Sequence, residues 1–295
     1  MRQTGRMRCA AWLLVLLAGL GAAAPVAWAG PALRVAVSAP PLAHFVGRIG
    51  GPRIGVAVLP AAEPDERTVR RLSRAGLLLV AGLSSERVWV ERLSQAAADL
   101  RVVRLFDAAP EREPPRHPVY GPLSPAEADQ PLGWLSPQRV RAAAGKILDA
   151  LSTLDPAGRP FYQERHAAFL VEVGRLETEI RTLFAGSGER RMFFAARTGL
   201  ADFAAAFGLS LVALEAGGRR PNAAETKKFV ELARGRGVQL ILLETGRGRG
   251  RPEGWATAEL VARQAFARIA PVDPWAADWP EGLRRLARLV RLALR

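Results

Sequence analysis

Residues Asp155 to Phe184 read DPAGRPFYQERHAAFLVEVGRLETEIRTLF. Tyr162, His166, Phe169, Val173, Leu176, Ile180 and Leu183 follow one another in steps of three and four, which places them on one stripe of a helix. Glu164, Arg165, Glu172, Arg175, Glu177, Glu179 and Arg181 fall between them and supply a solvated face. Asp155 can accept from the first free backbone N–H groups, Pro156 fits a position where no N–H is needed, and Gly186 and Gly188 offer a stop. A helix over the whole stretch would be roughly 42 Å long, more than a typical domain helix. A lone coiled-coil strand would want several more heptads. With strand and helix patterns alternating on either side, the stretch reads as a spine joining two lobes.

The lobe before the spine alternates short apolar runs with amphipathic ones. Strands are expected over Leu33–Val37, Ile54–Leu59, Leu77–Ala81 and Arg101–Phe106, with helices over Leu42–Ile49, Val69–Ala75 and Val88–Leu100. After the spine come strands over Arg191–Ala195, Ser210–Leu214, Val238–Leu243 and Arg268–Val272. Helices there are expected over Thr198–Phe207, Pro221–Arg236, Trp255–Ala267 and Glu281–Arg295. Val238–Leu243 is apolar almost throughout, the pattern of a central strand covered on both faces. The closing helix carries leucines at helical spacing with arginines opposite. It is either an interfacial membrane helix or, more commonly, a helix docked on the domain. The class is therefore α/β, two Rossmann-like lobes with parallel sheets joined by a long spine helix. Its division is 1–29 leader, 30–139 first lobe, 140–189 connecting segment with the spine, and 190–295 second lobe. Ligands in such sheets sit beyond the carboxyl ends of the strands, here Ser38–Pro41, Pro60–Asp65, Gly82–Glu86 and the loop after Phe106.

Arg2, Arg6 and Arg8 precede an apolar run from Cys9 to about Val26, which closes in Ala27-Trp28-Ala29. A basic head, apolar core and small-x-small end are the layout of a secretory signal peptide, with cleavage expected after Ala29 and a periplasmic destination. Cys9 is the sole cysteine, so the exported chain has no disulfide or thiolate metal site. The chain carries a net charge of +14, and the leader holds three arginines and no acidic residue, which leaves +11 on the remaining 266 residues. The arginines are spread along the chain rather than gathered into an arm. A solvated basic surface explains them better than nucleic-acid binding does.

Three stretches, VSAPPLAHFVGRIGG, VAVLPAAEP and LLLVAGLSSERVWVERL, together with Leu154-Asp155-Pro156 ahead of the spine, resemble the zinc and manganese solute-binding proteins of ABC importers. The resemblance covers essentially the whole exported chain. It implies a monomeric periplasmic binding protein, not an enzyme, that captures a metal ion between two lobes and docks on an inner-membrane ABC permease. In that family three His, one sometimes Glu, and one acidic residue hold the metal, two from each lobe. The first ligand follows an acidic-Pro pair, here Glu63-Pro64, and its place is taken by Asp65. The second belongs to a His-Val-Trp-Leu-Asp-Pro segment, here Leu132-Gly133-Trp134-Leu135-Ser136-Pro137, so Leu132 stands there. The third falls on Arg197, counted back from Phe207-Gly208-Leu209. The fourth is the acid of Pro271-Val272-Asp273-Pro274. The resemblance thus leaves Asp65 and Asp273 as metal-ligand candidates. Leu132 cannot coordinate, and the Arg197 guanidinium repels a cation. Zn²⁺ and Mn²⁺ favour imidazole with carboxylate, so a divalent metal is expected to be held weakly at most.

Arg197 and Glu244 are expected to face the cleft. Gly246-Arg247-Gly248-Arg249-Gly250-Arg251 matches neither a Rossmann fingerprint nor a P-loop. It is a solvated loop or, with Arg197, Arg219 and Arg220, an anion-collecting one. His117 lies in the loop where relatives carry a His-rich tract, and His44 and His166 read as packing or surface residues. No Ser/His/Asp or Cys/His set is visible. Two readings stay open: a metal importer's binding protein with most ligands replaced, and a paralogue of the same fold that takes an anionic or organic ligand or acts through protein interaction.

Overall fold

The computed structural model describes residues 33–61, 63–106, 132–186, 188, 191–216, 220–246, 251, 252 and 254–294. The leader and most of the loop with His117 lie outside these residues. Pro31–Arg295 forms one compact unit.

The first sheet contains β1 (Leu33–Val37), β2 (Ile54–Val58), β3 (Leu77–Val80) and β4 (Arg101–Arg104) in the order β2-β1-β3-β4. All its pairings are parallel. The second sheet repeats the plan with β5 (Met192–Ala195), β6 (Ser210–Ala213), β7 (Leu240–Glu244) and β8 (Arg268–Val272) in the order β6-β5-β7-β8, again all parallel. The expected strands are all present, a residue or two shorter at some ends. β7 lies inside its sheet, as its apolar run predicts.

Helices cover both faces, and the period-2 alternation of the strands sorts side chains between them. Val35, Val37, Leu77 and Leu79 point to one side of the first sheet, and Phe193, Ala195 and Leu242 to one side of the second. All join a single core with α1 (Pro40–Gly50), α4 (Pro137–Leu154), α5 (Arg159–Ala185) and α9 (Trp279–Ala293). The alternate residues face outward into smaller cores. Ala36 and Leu78 meet Leu72 of α2 (Glu66–Leu72) and Trp89 and Leu93 of α3 (Arg87–Ala96). Phe194, Val212 and Ile241 meet Phe229 of α7 (Ala223–Gly235) and Val261 of α8 (Trp255–Ala265). The remaining helix, α6 (Ala201–Ala206), follows β5.

The spine is α5. Tyr162, Phe169, Val173, Leu176, Ile180 and Phe184 are buried, whereas His166 and Leu183 are only half-buried. The helix differs from a single span in its first turn, where Pro156–Gly158 is a separate 3-10 turn. Asp155 governs this entry: Oδ1 accepts from the Gly158 N–H at 3.1 Å, and Oδ2 accepts from the Tyr162 hydroxyl at 2.6 Å and from Arg53 at 2.8 Å. The Tyr162 hydroxyl and then Arg53 hold the Asp155 carboxyl below the usual carboxylate range. α1 packs along the spine closely enough that at Gly51, with φ of 56°, a Cβ would lie 2.9 Å from Arg165 Nε.

α4 is the one element the sequence reading left undivided within its connecting segment. Val140, Ala143, Ala144, Ile147, Ala150 and Leu151 form its buried stripe, and Glu177 of α5 pairs with its Arg141 at 2.6 Å. α9 is docked: Trp279, Leu283, Leu286, Ala287 and Val290 are buried, and Trp279 packs 5.1 Å from Phe45 of α1. Its apolar face is satisfied inside the molecule, which accounts for the leucine spacing without a membrane. Among the described residues no helix is long and apolar enough to cross one.

Two predictions follow from the spine. Val173→Asp places a charge in the fully buried stripe and is expected to cost on the order of 4 kcal/mol in denaturant unfolding. Glu172→Ala removes only a half-exposed pair with Arg48 and should cost about 1 kcal/mol or less; equal costs would refute the stripe. Asp155→Asn should cost about 1–3 kcal/mol at neutral pH. Because the folded pKa is depressed, the carboxylate stabilises fully above its unfolded value of about 3.9, and the contribution is lost as pH falls through the folded value. Melts of wild type and variant should therefore converge under acid.

Candidate functional site

Each sheet reverses its strand order next to its first strand, between β1 and β3 and between β5 and β7. Ligands of open α/β sheets collect at such switch points, outside the carboxyl ends of the strands. In the first sheet this place is filled by protein. Buried Glu86 accepts from the N–H groups of Ala81, Gly82 and Leu83 at 2.9, 2.7 and 2.8 Å, and Ser38 Oγ also accepts from Ala81 N–H, at 3.0 Å.

In the second sheet the switch point carries Arg197 and Glu244. The Arg197 backbone N–H donates to Glu244 Oε2 at 3.1 Å. A Cβ built on Gly199 would lie 3.4 Å from Glu244 Oε1 and 3.7 Å from Leu132 Cδ1. Leu132, Gly199 and Glu244 therefore converge, with Leu132 reaching in from the segment ahead of α4. Its side chain belongs to the main core and is 7% exposed. A coordinating side chain at position 132 would have to replace that methyl contact.

The carboxylates read as ligand candidates both carry local structural bonds. Asp65 caps α2: Oδ1 accepts from Thr68 N–H and Oδ2 from Thr68 Oγ1, both at 2.8 Å. The Thr68 N–H and then its hydroxyl lower the Asp65 pKa. Asp273 follows β8 directly, is exposed, and its Oδ1 accepts from Trp275 N–H at 2.8 Å, closing a local turn. Among the described residues no three His, Cys, Asp or Glu side chains are grouped so that they could hold a metal ion. His117 and Arg219 fall outside the described residues, as do Arg247–Gly250. Arg251 stacks on Trp255 with its guanidinium 5.5 Å from the ring centroid, and Arg220 comes within 3.8 Å of Glu215. His44 packs among Phe45, Phe169 and Trp279.

Two fastenings beside the site carry no local sequence signal. Trp134 Nε1 donates to the Pro274 carbonyl, while Trp279 Nε1 donates to the Trp134 carbonyl, both at 2.7 Å. Arg139 of α4 binds both oxygens of fully buried Asp202 of α6, at 3.0 and 2.9 Å. The first joins residues 140 and 145 apart in sequence, the second residues 63 apart. Both hold the Leu132 segment against the second sheet. A third unread group is buried Glu215 just after β6, which accepts from Thr257 Oγ1 and whose N–H donates to the Ala196 carbonyl after β5 at 2.8 Å.

Among solved proteins, the crystal structure of ZnuA is 28% identical with a TM-score of 0.74, over 89% of this chain and 99% of that one. The periplasmic zinc binding protein TroA from Treponema pallidum (17% identity, TM-score 0.71, 89% and 99% covered) shares the fold. So does the Mn-bound periplasmic metal binding protein from Candidatus Liberibacter asiaticus (15%, 0.72, 89% and 100%). Residues 35–284 match the family model described as zinc-uptake complex component A, periplasmic. That match runs from inside β1 into α9 and takes in both switch points, so the chain belongs to the family of the periplasmic component A of zinc-uptake complexes.

Proposed function

We propose that this protein is the periplasmic solute-binding component of a zinc/manganese-type ABC importer in which most of the metal ligands have been replaced. The lobes 30–139 and 190–295 would enclose the cargo at the switch point of the second sheet, and the loaded form would dock on an inner-membrane permease. The observation that carries the altered-site reading is the place of Leu132. Its methyl group meets Gly199 beside Glu244, where the family resemblance calls for an imidazole.

The remaining groups point the same way. Asp65 is engaged in capping α2, so ligation would compete with the cap. Asp273 is exposed, and one of its oxygens already accepts from Trp275 N–H. Arg197 brings a permanent cation to the loop that Glu244 fastens. Two carboxylates and no imidazole suit a weakly held hard cation better than Zn²⁺. With Arg197 at the switch point, an anionic or organic cargo is the alternative outcome.

Isothermal titration of chelator-treated protein with Zn²⁺ and Mn²⁺ tests this reading. The wild type should bind with low affinity or not at all. Replacing Asp65, Leu132 and Arg197 together by His should raise zinc affinity by orders of magnitude, at a cost of about 1 kcal/mol in α2 from the lost cap. Tight one-to-one zinc binding by the wild type would overturn the replaced-ligand reading.

A further inference from the structure

The second sheet has an opposite edge, at the amino ends of its strands, and there three helices end in the same way. After α6, α7 and α8 one residue enters the left-handed region: Gly208 (φ 65°), Gly237 (φ 62°) and Phe266 (φ 59°). In each case the next N–H returns to the helix. Leu209 donates to Ala204, Val238 to Ala233 and Ala267 to Ala262, at 2.8, 2.9 and 2.9 Å. This is the glycine-type C-terminal cap, adopted without strain only when no Cβ is present. Two of the three turns use glycine and the third uses phenylalanine.

Phe266 gains nothing from the core in exchange, since it is 86% exposed. It is held in place instead. The Arg234 guanidinium lies 5.6 Å from the ring centroid and donates to the Gln264 carbonyl at 2.9 and 2.6 Å. Around it the described turns carry arginines and no acidic residue of their own. The three turns, residues 205–211, 233–240 and 262–269, contain Arg234, Arg236, Arg263 and Arg268 and no Asp or Glu, and exposed Arg191 adjoins them at the start of β5. Arg263 has Glu259 4.0 Å away, one turn up the helix.

We propose that this edge docks on an anionic phospholipid bilayer, with Phe266 inserted as the anchor and the arginines at the level of the phosphates. A protein partner would want a cluster of apolar side chains with a polar rim. None of the other exposed large apolar side chains among the described residues falls in these turns. A lone rigid ring inside a fringe of guanidinium groups fits a lipid interface, where the ring enters the acyl boundary and the cations meet anionic headgroups. The surface lies on the edge away from the cargo site and does not depend on what that site binds.

Co-sedimentation of the compact unit Pro31–Arg295 with vesicles tests it, using phosphatidylglycerol mixed with phosphatidylethanolamine against phosphatidylcholine alone. The wild type should bind the anionic vesicles, leave the neutral ones, and be released by added salt. Phe266→Gly, which installs the residue used at the other two caps, should weaken binding at least about tenfold with an unchanged or higher melting temperature. Phe266→Trp should retain binding. The proposal fails if the wild type ignores anionic vesicles, or if Phe266→Gly binds them as well as the wild type does. It fails equally if the basic edge captures an acidic protein while leaving the vesicles unbound.

Discussion

Everything in this molecule is arranged about the need to keep one face of α5 dry. Six of its side chains, from Tyr162 to Phe184, are buried, and at about 1.5–3 kcal/mol for each large apolar side chain removed from water this is the dominant local driving force. No single sheet could cover a helix of this length. The inner faces of both sheets, with α1, α4 and α9, are all drawn into one core. The Asp155 knot fixes where that core begins. Its carboxylate sets the first turn, orients Tyr162 and ties Arg53, in the turn between α1 and β2, to the start of the spine.

The two sheets have the same strand order and therefore equivalent switch points, yet the chain treats them differently. Glu86 spends its carboxylate on three backbone N–H groups and closes the first into scaffold. At the second, Glu244 takes the N–H of Arg197 and sits beside Leu132 and Gly199. Identical topology thus yields one fastened corner and one corner where a carboxylate and a methyl group lie side by side under the Arg197 backbone. The difference comes from a handful of side chains, as expected where function is grafted on a shared frame.

Much of the frame was legible in the sequence because its signals are local. The period of three and four in α5, the apolar run of β7 and the strand–helix alternation need only neighbouring residues to be seen. α4 was not separated from its surroundings, since half of its buried stripe is alanine, which weighs little in an apolar pattern. The site was legible only as positions. That Leu132, Arg197 and Glu244 approach one another depends on fastenings such as Trp134 to Pro274 and Arg139 to Asp202, whose partners lie far apart along the chain. Asp65 illustrates the opposite limit. Asp ahead of a helical run is a preferred N-cap residue, and the structure uses it that way.

Trp279 has a consequence for the order in which the protein can assemble. Its ring completes the packing of Phe45 and Phe169, and its indole N–H anchors the Trp134 carbonyl, although 234 residues of sequence separate it from Phe45. Closure of the core around the amino-terminal helix therefore waits for the carboxyl-terminal one. Contacts of such long sequence separation make folding slow relative to local helix formation, and the chain stays incompletely packed until α9 is available. A chain lacking α9 would leave its own first helix uncovered at Phe45, so a defect in one helix would be felt at the far end of the fold.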